Sequence, residues 1–234
     1  MVKRRAGDAF GESYAFPGGV VDADEPISHD YADGRTTIEA NLLLGVSDGL
    51  SYYSAAIREL FEETGILLVC RQNSEPLPSI DQLRDCRQQV DSGKLPWSTF
   101  LKKSDLKMAC SLLHYFAYWE TPLDRPKRWS TRFFLAKMPA DQYASHDGNE
   151  LTDMCWMTAA QILSAARSGD MKLPFPTMRN LLTLVHFLTV RDMLSWADQA
   201  ADQHIEKTRP VKITCDGESK WVVKGDPGFP DNDD

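Results

Sequence analysis

Arg58-Glu59-Leu60-Phe61-Glu62-Glu63-Thr64-Gly65-Ile66 puts an apolar stripe and a charged stripe on one short segment. Ile57, Leu60, Phe61 and Thr64 recur at helical spacing, Ser54 can cap the N-terminus, and Gly65 stands where a left-handed residue ends a helix. Glu59, Glu62 and Glu63 lie three and four residues apart, so a helix places all three carboxylates on one face. Neighbouring anions repel, and without a cation at least one carboxyl pKa must rise. A hard divalent ion such as Mg²⁺ or Mn²⁺ relieves the repulsion through oxygen ligands and keeps positions open for water and phosphate. Arg58, four residues before Glu62, can orient one of the carboxylates. A charge run by itself reads as a solvated helix face, so the flanking sequence has to decide between the two.

Upstream, Pro17-Gly18-Gly19 reads as a turn, and the polar span Asp22 to Gly49 shows no helical or strand period and reads as an inserted loop. Downstream, Ile66 to Cys70 reads as a buried strand, and Gln72 to Asp105 as one amphipathic helix between loops. Leu112 to Trp119 and Arg132 to Met138 are expected as neighbouring strands across the Pro122 and Pro126 turns. Leu151 to Met157 offers a short strand, and Thr158-x-x-Gln161 is a capping box opening a helix that Gly169 closes. Thr177 is expected to cap a long helix running to about His204, and Val211 to Thr214 with Trp221 to Val223 forms a hairpin around Asp216-Gly217. Tyr115, Phe116, Tyr118 and Trp119 read as sheet packing, Cys155 as core, and Trp129 and Phe133 as core in preference to stacking on an adenine.

The 234 residues, 42% hydrophobic, suit one elaborated soluble domain, since domains usually run to roughly 100–200 residues. With 26 Lys plus Arg against 34 Asp plus Glu, the net charge of −8 argues against holding nucleic acid by the overall field. The five cysteines are odd in number and contain no Cys-x-x-Cys pair, which fits a reducing compartment and argues against zinc. His114, His146, His186 and His204 lack zinc-binding spacing as well. The longest apolar run, Leu181 to Val190, is short of the ~20 residues a membrane helix needs. No secretory h-region follows Met1-Val-Lys-Arg-Arg, and the terminal Asp residues are no peroxisomal tripeptide, so the expected compartment is the cytoplasm.

The segment quoted first resembles the second half of the nudix signature, Gly-x5-Glu-x7-Arg-Glu-U-x-Glu-Glu-x-Gly-U with U aliphatic. Gly19 and Glu25 match its first half, and Arg58, Glu59, Leu60, Glu62, Glu63, Gly65 and Ile66 match its second without a mismatch. The spacer from Pro26 to Ile57 has 32 residues in place of seven. A long insertion there is similar to the coenzyme A diphosphatases of the nudix motif-19 type. The likeness continues in Phe16-Pro-Gly-Gly-Val-Val-Asp22, Trp119-x-Thr-Pro122, Arg128-Trp-Ser-Thr-Arg-Phe-Phe134, Glu150-x5-Trp156, Leu173-Pro-Phe-Pro176 and Gly225-Asp226-Pro-Gly228. Ser130 departs from it, standing where relatives tend to carry Asp.

The resemblance implies a nudix α/β/α sandwich with a mixed β-sheet, residues 1–234 as a single domain, 26–57 as an insertion and 175–234 as a C-terminal helix and hairpin extension. It leaves room for a missing N-terminal strand, because seventeen residues precede Gly18 and Lys3-Arg4-Arg5 resembles the end of such a strand. It implies Mg²⁺ or Mn²⁺ on Glu59, Glu62, Glu63 and the Gly18 carbonyl, with Glu59 a ligand or the base, Arg58 an orienter, Glu25 a support, and Glu150, or Asp153 nearby, a further ligand or base. Lys127, Arg128 and Arg132 are expected to meet substrate phosphates. The implied reaction is hydrolysis of coenzyme A or acyl-coenzyme A to 3′,5′-ADP and 4′-phosphopantetheine or its acyl form. The alternatives are a nudix pyrophosphatase acting on ADP-ribose, NADH or dinucleoside polyphosphates, and a non-catalytic nucleotide-binding or regulatory module. The partner is a small molecule, with no nucleic acid and no membrane, and peroxisomal or mitochondrial placement is the alternative compartment. Oligomeric state is not legible.

Overall fold

The computed structural model of the protein describes residues 1–7, 11–71, 77–146, 151–215 and 217–230. Strand β1 (Val2–Arg4) buries Val2 and pairs antiparallel with β2 (Tyr14–Ala15) on one edge and with the Leu151–Met154 strand on the other. Lys3 and Arg4, expected as the remnant of a missing strand, thus belong to a strand with neighbours on both sides.

The span expected as an inserted loop is mostly regular structure. It holds a 3₁₀ turn (Glu25–Tyr31), β3 (Ala32–Asp33) and helix α1 (Thr37–Leu44). Pro26 opens the 3₁₀ turn where a missing N–H costs nothing, and Thr36 with Glu39 forms a complete capping box for α1. The helix escaped pattern reading because it has no apolar stripe: Ile38 and Leu42 are exposed while Ala40 and Leu44 are buried. Helix α2 (Gly49–Thr64) begins ahead of the expected Ser54 cap and ends at Gly65, whose φ of 73° is the left-handed conformation the sequence implied. At Gly49 the backbones of α1 and α2 meet. A Cβ there would collide with the Ala40 carbonyl and lie 2.7 Å from the Asn41 nitrogen, while the Gly49 N–H donates to Asn41 Oδ1 at 2.6 Å.

β4 (Val69–Cys70) is shorter than the Ile66 to Cys70 strand expected, although Ile66, Leu67 and Leu68 are buried. The Gln142 side-chain amide takes the place of a neighbouring strand at Leu67, accepting from its N–H at 2.8 Å and donating to its carbonyl at 2.9 Å. Two helices, α3 (Ile80–Asp91) and α4 (Trp97–Lys103), replace the single one expected, since Ser79 caps the first and Pro96 starts the second. β5 (Lys107–Ala109) pairs parallel with β3 and antiparallel with β4. β6 (His114–Glu120) and β7 (Ser130–Leu135) form the expected antiparallel pair, with an irregularity between Tyr115 and Ala117.

β8 (Leu151–Met154) completes the first sheet, and α5 (Ala159–Ser168) follows with the Thr158 capping box and Gly169 at φ 87°. The expected long C-terminal helix is broken into α6 (Phe175–Leu184) and α7 (Val190–Asp202), because Thr189 is extended and caps α7 anew. β9 (Lys207–Thr208) runs parallel to β6, and β10 (Val211–Cys215) and β11 (Glu218–Val222) form the expected hairpin. Helices pack on sheets with both parallel and antiparallel pairing, an α/β arrangement. Its largest core joins Tyr53, Ile57 and Phe61 of α2 to Trp97, Phe100, Met108 and Tyr115. Among the described residues no helix is long and apolar enough to cross a membrane.

The contact at Gly49 is directly testable. Gly49→Val forces α1 away from α2 and is expected to cost about 1–3 kcal/mol, the usual range for overpacking, read as a lower urea midpoint with an unchanged m-value.

Candidate active site

Arg58 organises the glutamate face of α2. The residue is 6% exposed, and its guanidinium spreads over four partners. Nε donates to Glu25 Oε1 at 2.8 Å, Nη1 to Glu59 Oε1 and Glu62 Oε2 at 2.9 Å each, and Nη2 to the Val20 carbonyl at 2.9 Å. Asp22 adds a carboxylate oxygen 3.4 Å from Nη2. A rigid fork with five N–H donors can serve such a ring of acceptors, which an ammonium could not. Glu25 is only 2% exposed and is also bonded by the Ser54 hydroxyl. The inserted span is therefore stitched to α2 through the residue that leads it. Burial pushes the Glu25 carboxyl up, against the pull of Ser54 and Arg58. Burial alone would lower the Arg58 pKa, but Glu59, Glu62 and Glu25 raise it, so the guanidinium stays charged.

The Gly18-Gly19 turn lies against the same face. The Gly18 N–H donates to Glu63 Oε2 at 2.9 Å. At Gly19 the Glu59 carboxylate occupies the space that a Cβ would fill, so the position tolerates no side chain without moving Glu59. Glu62 is pushed up to about 7, mainly by burial, with Arg58 pulling it down and Glu59 pushing it further up. The rise expected from crowded carboxylates is therefore present, with burial the larger cause. Arg87 of α3 supports this helix end, donating to the Glu62 carbonyl at 2.9 Å and to Ser145 Oγ and O at 3.0 and 2.9 Å. Neither Arg87 nor Ser145 carries a motif, and only their position in the fold reveals them.

Among the described residues no three His, Cys, Asp or Glu side chains are grouped to hold a metal ion. Glu59 and Glu62 converge on one Arg58 nitrogen, and Gly18 meets Glu63 through its N–H. The donor chemistry nevertheless suits a hard cation. Glu25, Glu59, Glu62 and Glu63 offer oxygen alone, and the acids contacting Arg58 outnumber its single charge.

A cleft of about 1650 Å³ is lined by Gly18 and Gly19, by Ala56 and Leu60 of α2, and by Trp129 and Trp221. Lys127 lines it, with Nζ 4.5 Å from the centre of the Trp129 ring. Trp129 is 40% exposed, so it is not the core residue expected, whereas Tyr115, Phe116 and Trp119 are buried as sheet packing. Phe133 is half-buried against Phe116, and Cys155 half-buried against the Ile162 and Leu181 cluster. Arg128 is exposed and 3.5 Å from Glu120. Arg132 is buried between the Tyr52 and Tyr118 rings and donates to the Leu44 carbonyl at 3.1 Å and to Ser130 Oγ at 2.7 Å. Those contacts give Arg132 a place in packing, and it also lines the cleft. Asp153 accepts from the Tyr14 hydroxyl at 2.8 Å, on the β1 sheet. Glu150 lies outside the described residues.

The chain is similar to known proteins. Residues 36–184 match the family model of the NUDT19 nudix domain. Acyl-coenzyme A diphosphatase NUDT19 of Xenopus laevis is 25% identical over 193 residues, covering 76% of this chain and 51% of that protein. The Gallus gallus protein of that name is 24% identical over 203 residues, covering 79% and 54%. The chain spans about half the length of these curated relatives. A crystal structure of a nudix hydrolase from Alicyclobacillus acidocaldarius matches with a TM-score of 0.70 at 26% identity, over 83% of this chain and 86% of that one.

Two measurements probe the site without substrate. Arg58→Ala leaves the buried Glu25 without its guanidinium and should cost about 3–5 kcal/mol in denaturant unfolding, with Arg58→Lys recovering part of it. The folded chain also holds a proton on Glu62 more tightly than the unfolded one. That stability is full below the ordinary carboxylate pKa and is lost as pH rises through about 7. In chelator-treated protein, wild type should therefore lose stability relative to Glu62→Gln as pH climbs across this window.

Proposed function

The chain belongs to the NUDT19 nudix domain family, and on that premise we propose that it is a divalent-metal-dependent hydrolase of a nucleoside diphosphate linked to another moiety, with coenzyme A or acyl-coenzyme A as substrate. The observation that carries this reading is the set of Glu59, Glu62 and Glu63 on one face of α2, oriented by Arg58 and met by the Gly18-Gly19 turn, which lines a large cleft. The acyl-coenzyme A diphosphatases among the relatives favour this substrate over ADP-ribose or NADH. We read residues 1–234 as one unit, with 26–57 inserted in the box and 175–234 as an extension.

Glu59, Glu62 and Glu63, with the Gly18 carbonyl, would hold Mg²⁺ or Mn²⁺, which supplies positive charge against the diphosphate and acidifies water. The chain's own work is positional and acid–base. Arg58 fixes one oxygen each of Glu59 and Glu62, so their carboxylates reach the substrate with little freedom left to lose. Gly19 lets the loop approach Glu59 closely enough to bring a diphosphate alongside. Water adds to one phosphorus in line, its proton passes to a carboxylate, and the bridging oxygen leaves with the other phosphate. Glu59 acts as a ligand or as the base, and Glu150 is the other candidate for the base. For coenzyme A the products are 3′,5′-ADP and 4′-phosphopantetheine.

The experiment is a product assay by mass. Protein with Mg²⁺ is incubated with coenzyme A, acyl-coenzyme A, ADP-ribose, NADH and diadenosine polyphosphates. Cleavage of the first two is expected, is abolished by chelator, and drops on the order of 10²-fold in Glu62→Gln and in Glu63→Gln. Unchanged turnover in both variants rules out the carboxylate assignment.

A further inference from the structure

We propose that the β6–β7 loop is the nucleotide-end clamp of the cleft, with Trp129 as the platform for a purine base and Lys127 and Arg125 as the partners of its phosphates. This rests on the reading above and specifies which end of the substrate goes where. The loop is built to hold its shape. Pro122 and Pro126 restrict it, the Arg125 N–H closes a turn onto the Pro122 carbonyl at 3.2 Å, and Thr121 and Trp129 pin its ends together. Two bonds make that pin: the Thr121 N–H donates to the Trp129 carbonyl at 3.0 Å, and the Trp129 N–H donates to Thr121 Oγ1 at 2.9 Å. A large indole is thereby displayed at the cleft wall with 40% of its surface exposed.

The charge around it runs against the chain's balance of −8. Arg128, Lys207 and Arg209 gather on Glu120, whose carboxyl is held below its usual range chiefly by the Arg209 hydrogen bond. Lys127 and Arg125 differ from those three. Among the described residues neither has an ion pair; Lys127 lies over Trp129, and Arg125 lies 5.2 Å from the centre of the Trp221 ring on the terminal hairpin. Trp221 is thus a positioning residue, parking Arg125 at the cleft. A cation over an indole occupies one of its two faces and leaves the other for a base. An aromatic platform beside cations not neutralised by carboxylates suits a ring that carries phosphate, and suits a bare acyl chain poorly. Gly18, Gly19 and Leu60 of α2 line the same cleft, so a base at Trp129 leaves the diphosphate in a space shared with the glycine turn and α2.

The test is calorimetric titration of adenosine 3′,5′-bisphosphate, adenosine and 4′-phosphopantetheine into chelator-treated protein, with melting curves as the folding control. Trp129→Ala should weaken both adenine ligands about tenfold and leave 4′-phosphopantetheine unchanged, and Trp129→Phe should restore most of the loss. Arg125→Ala with Lys127→Ala should weaken the bisphosphate about tenfold and spare adenosine, as should Trp221→Ala to a smaller degree. Equal losses for all three ligands, or no loss in a folded Trp129→Ala, overturns the clamp even where coenzyme A is hydrolysed. A protein that hydrolyses nothing yet shows this pattern keeps the clamp and removes the hydrolase reading. Wild type that binds no adenine ligand overturns the clamp.

Discussion

The carboxylate and carbonyl contacts of Arg58 are the constraint on which the rest is arranged. A guanidinium removed from water is unfavourable unless its donors are met, and here Glu25, Glu59, Glu62 and the Val20 carbonyl meet them. Those four acceptors come from three places: the turn after Gly18, the start of the inserted span and α2 itself. One side chain therefore sets the distance between elements that sequence keeps far apart. The arrangement also explains why the three glutamates can be crowded on α2 at all. Two of them share one charged nitrogen, and the third is held by a backbone N–H of the glycine turn.

The inserted span is structural in its own right. It contributes Glu25 to the buried pair, and Gly49 lets α1 touch α2 at backbone distance. Arg132 ties it to the sheet by donating from β7 to the Leu44 carbonyl at the end of α1, between a tyrosine of α2 and one of β6. An insertion anchored at three such points extends the core instead of decorating it, which agrees with Ala40 and Leu44 lying inside the largest cluster.

How much of this the sequence carried depends on the range of the interactions. The α2 glutamates, the Gly65 stop, the Thr158 capping box, the β6–β7 pair and the terminal hairpin were legible because each is encoded within a few residues. Helix α1 was not, since its apolar residues form no stripe, and the α6–α7 break was hidden because Thr189 reads equally well inside a helix. In the site, the carboxylates were legible and their partners only partly so. The Arg58 to Glu62 step is local, whereas Glu25 and Arg87 meet α2 through the fold. Trp129 lies outside its expected core place because exposure depends on what the fold packs over the end of a strand, which the strand's own residues do not encode.

The Gln142 amide at Leu67 has a bearing on association between chains. β4 is an edge strand of its sheet, and the Ile66 to Val69 run leading into it is apolar, the composition that invites a second chain to add on. A side-chain amide offers one donor and one acceptor, as a peptide unit does, and here it fills both positions of the Leu67 peptide. The sheet is thus closed at that point by a residue from the same chain, held in register by Ser145 bonding to Thr64 a few residues on. A chain lacking this amide would leave the Leu67 N–H and carbonyl unpaired beside an apolar run, the setting in which a second strand can add.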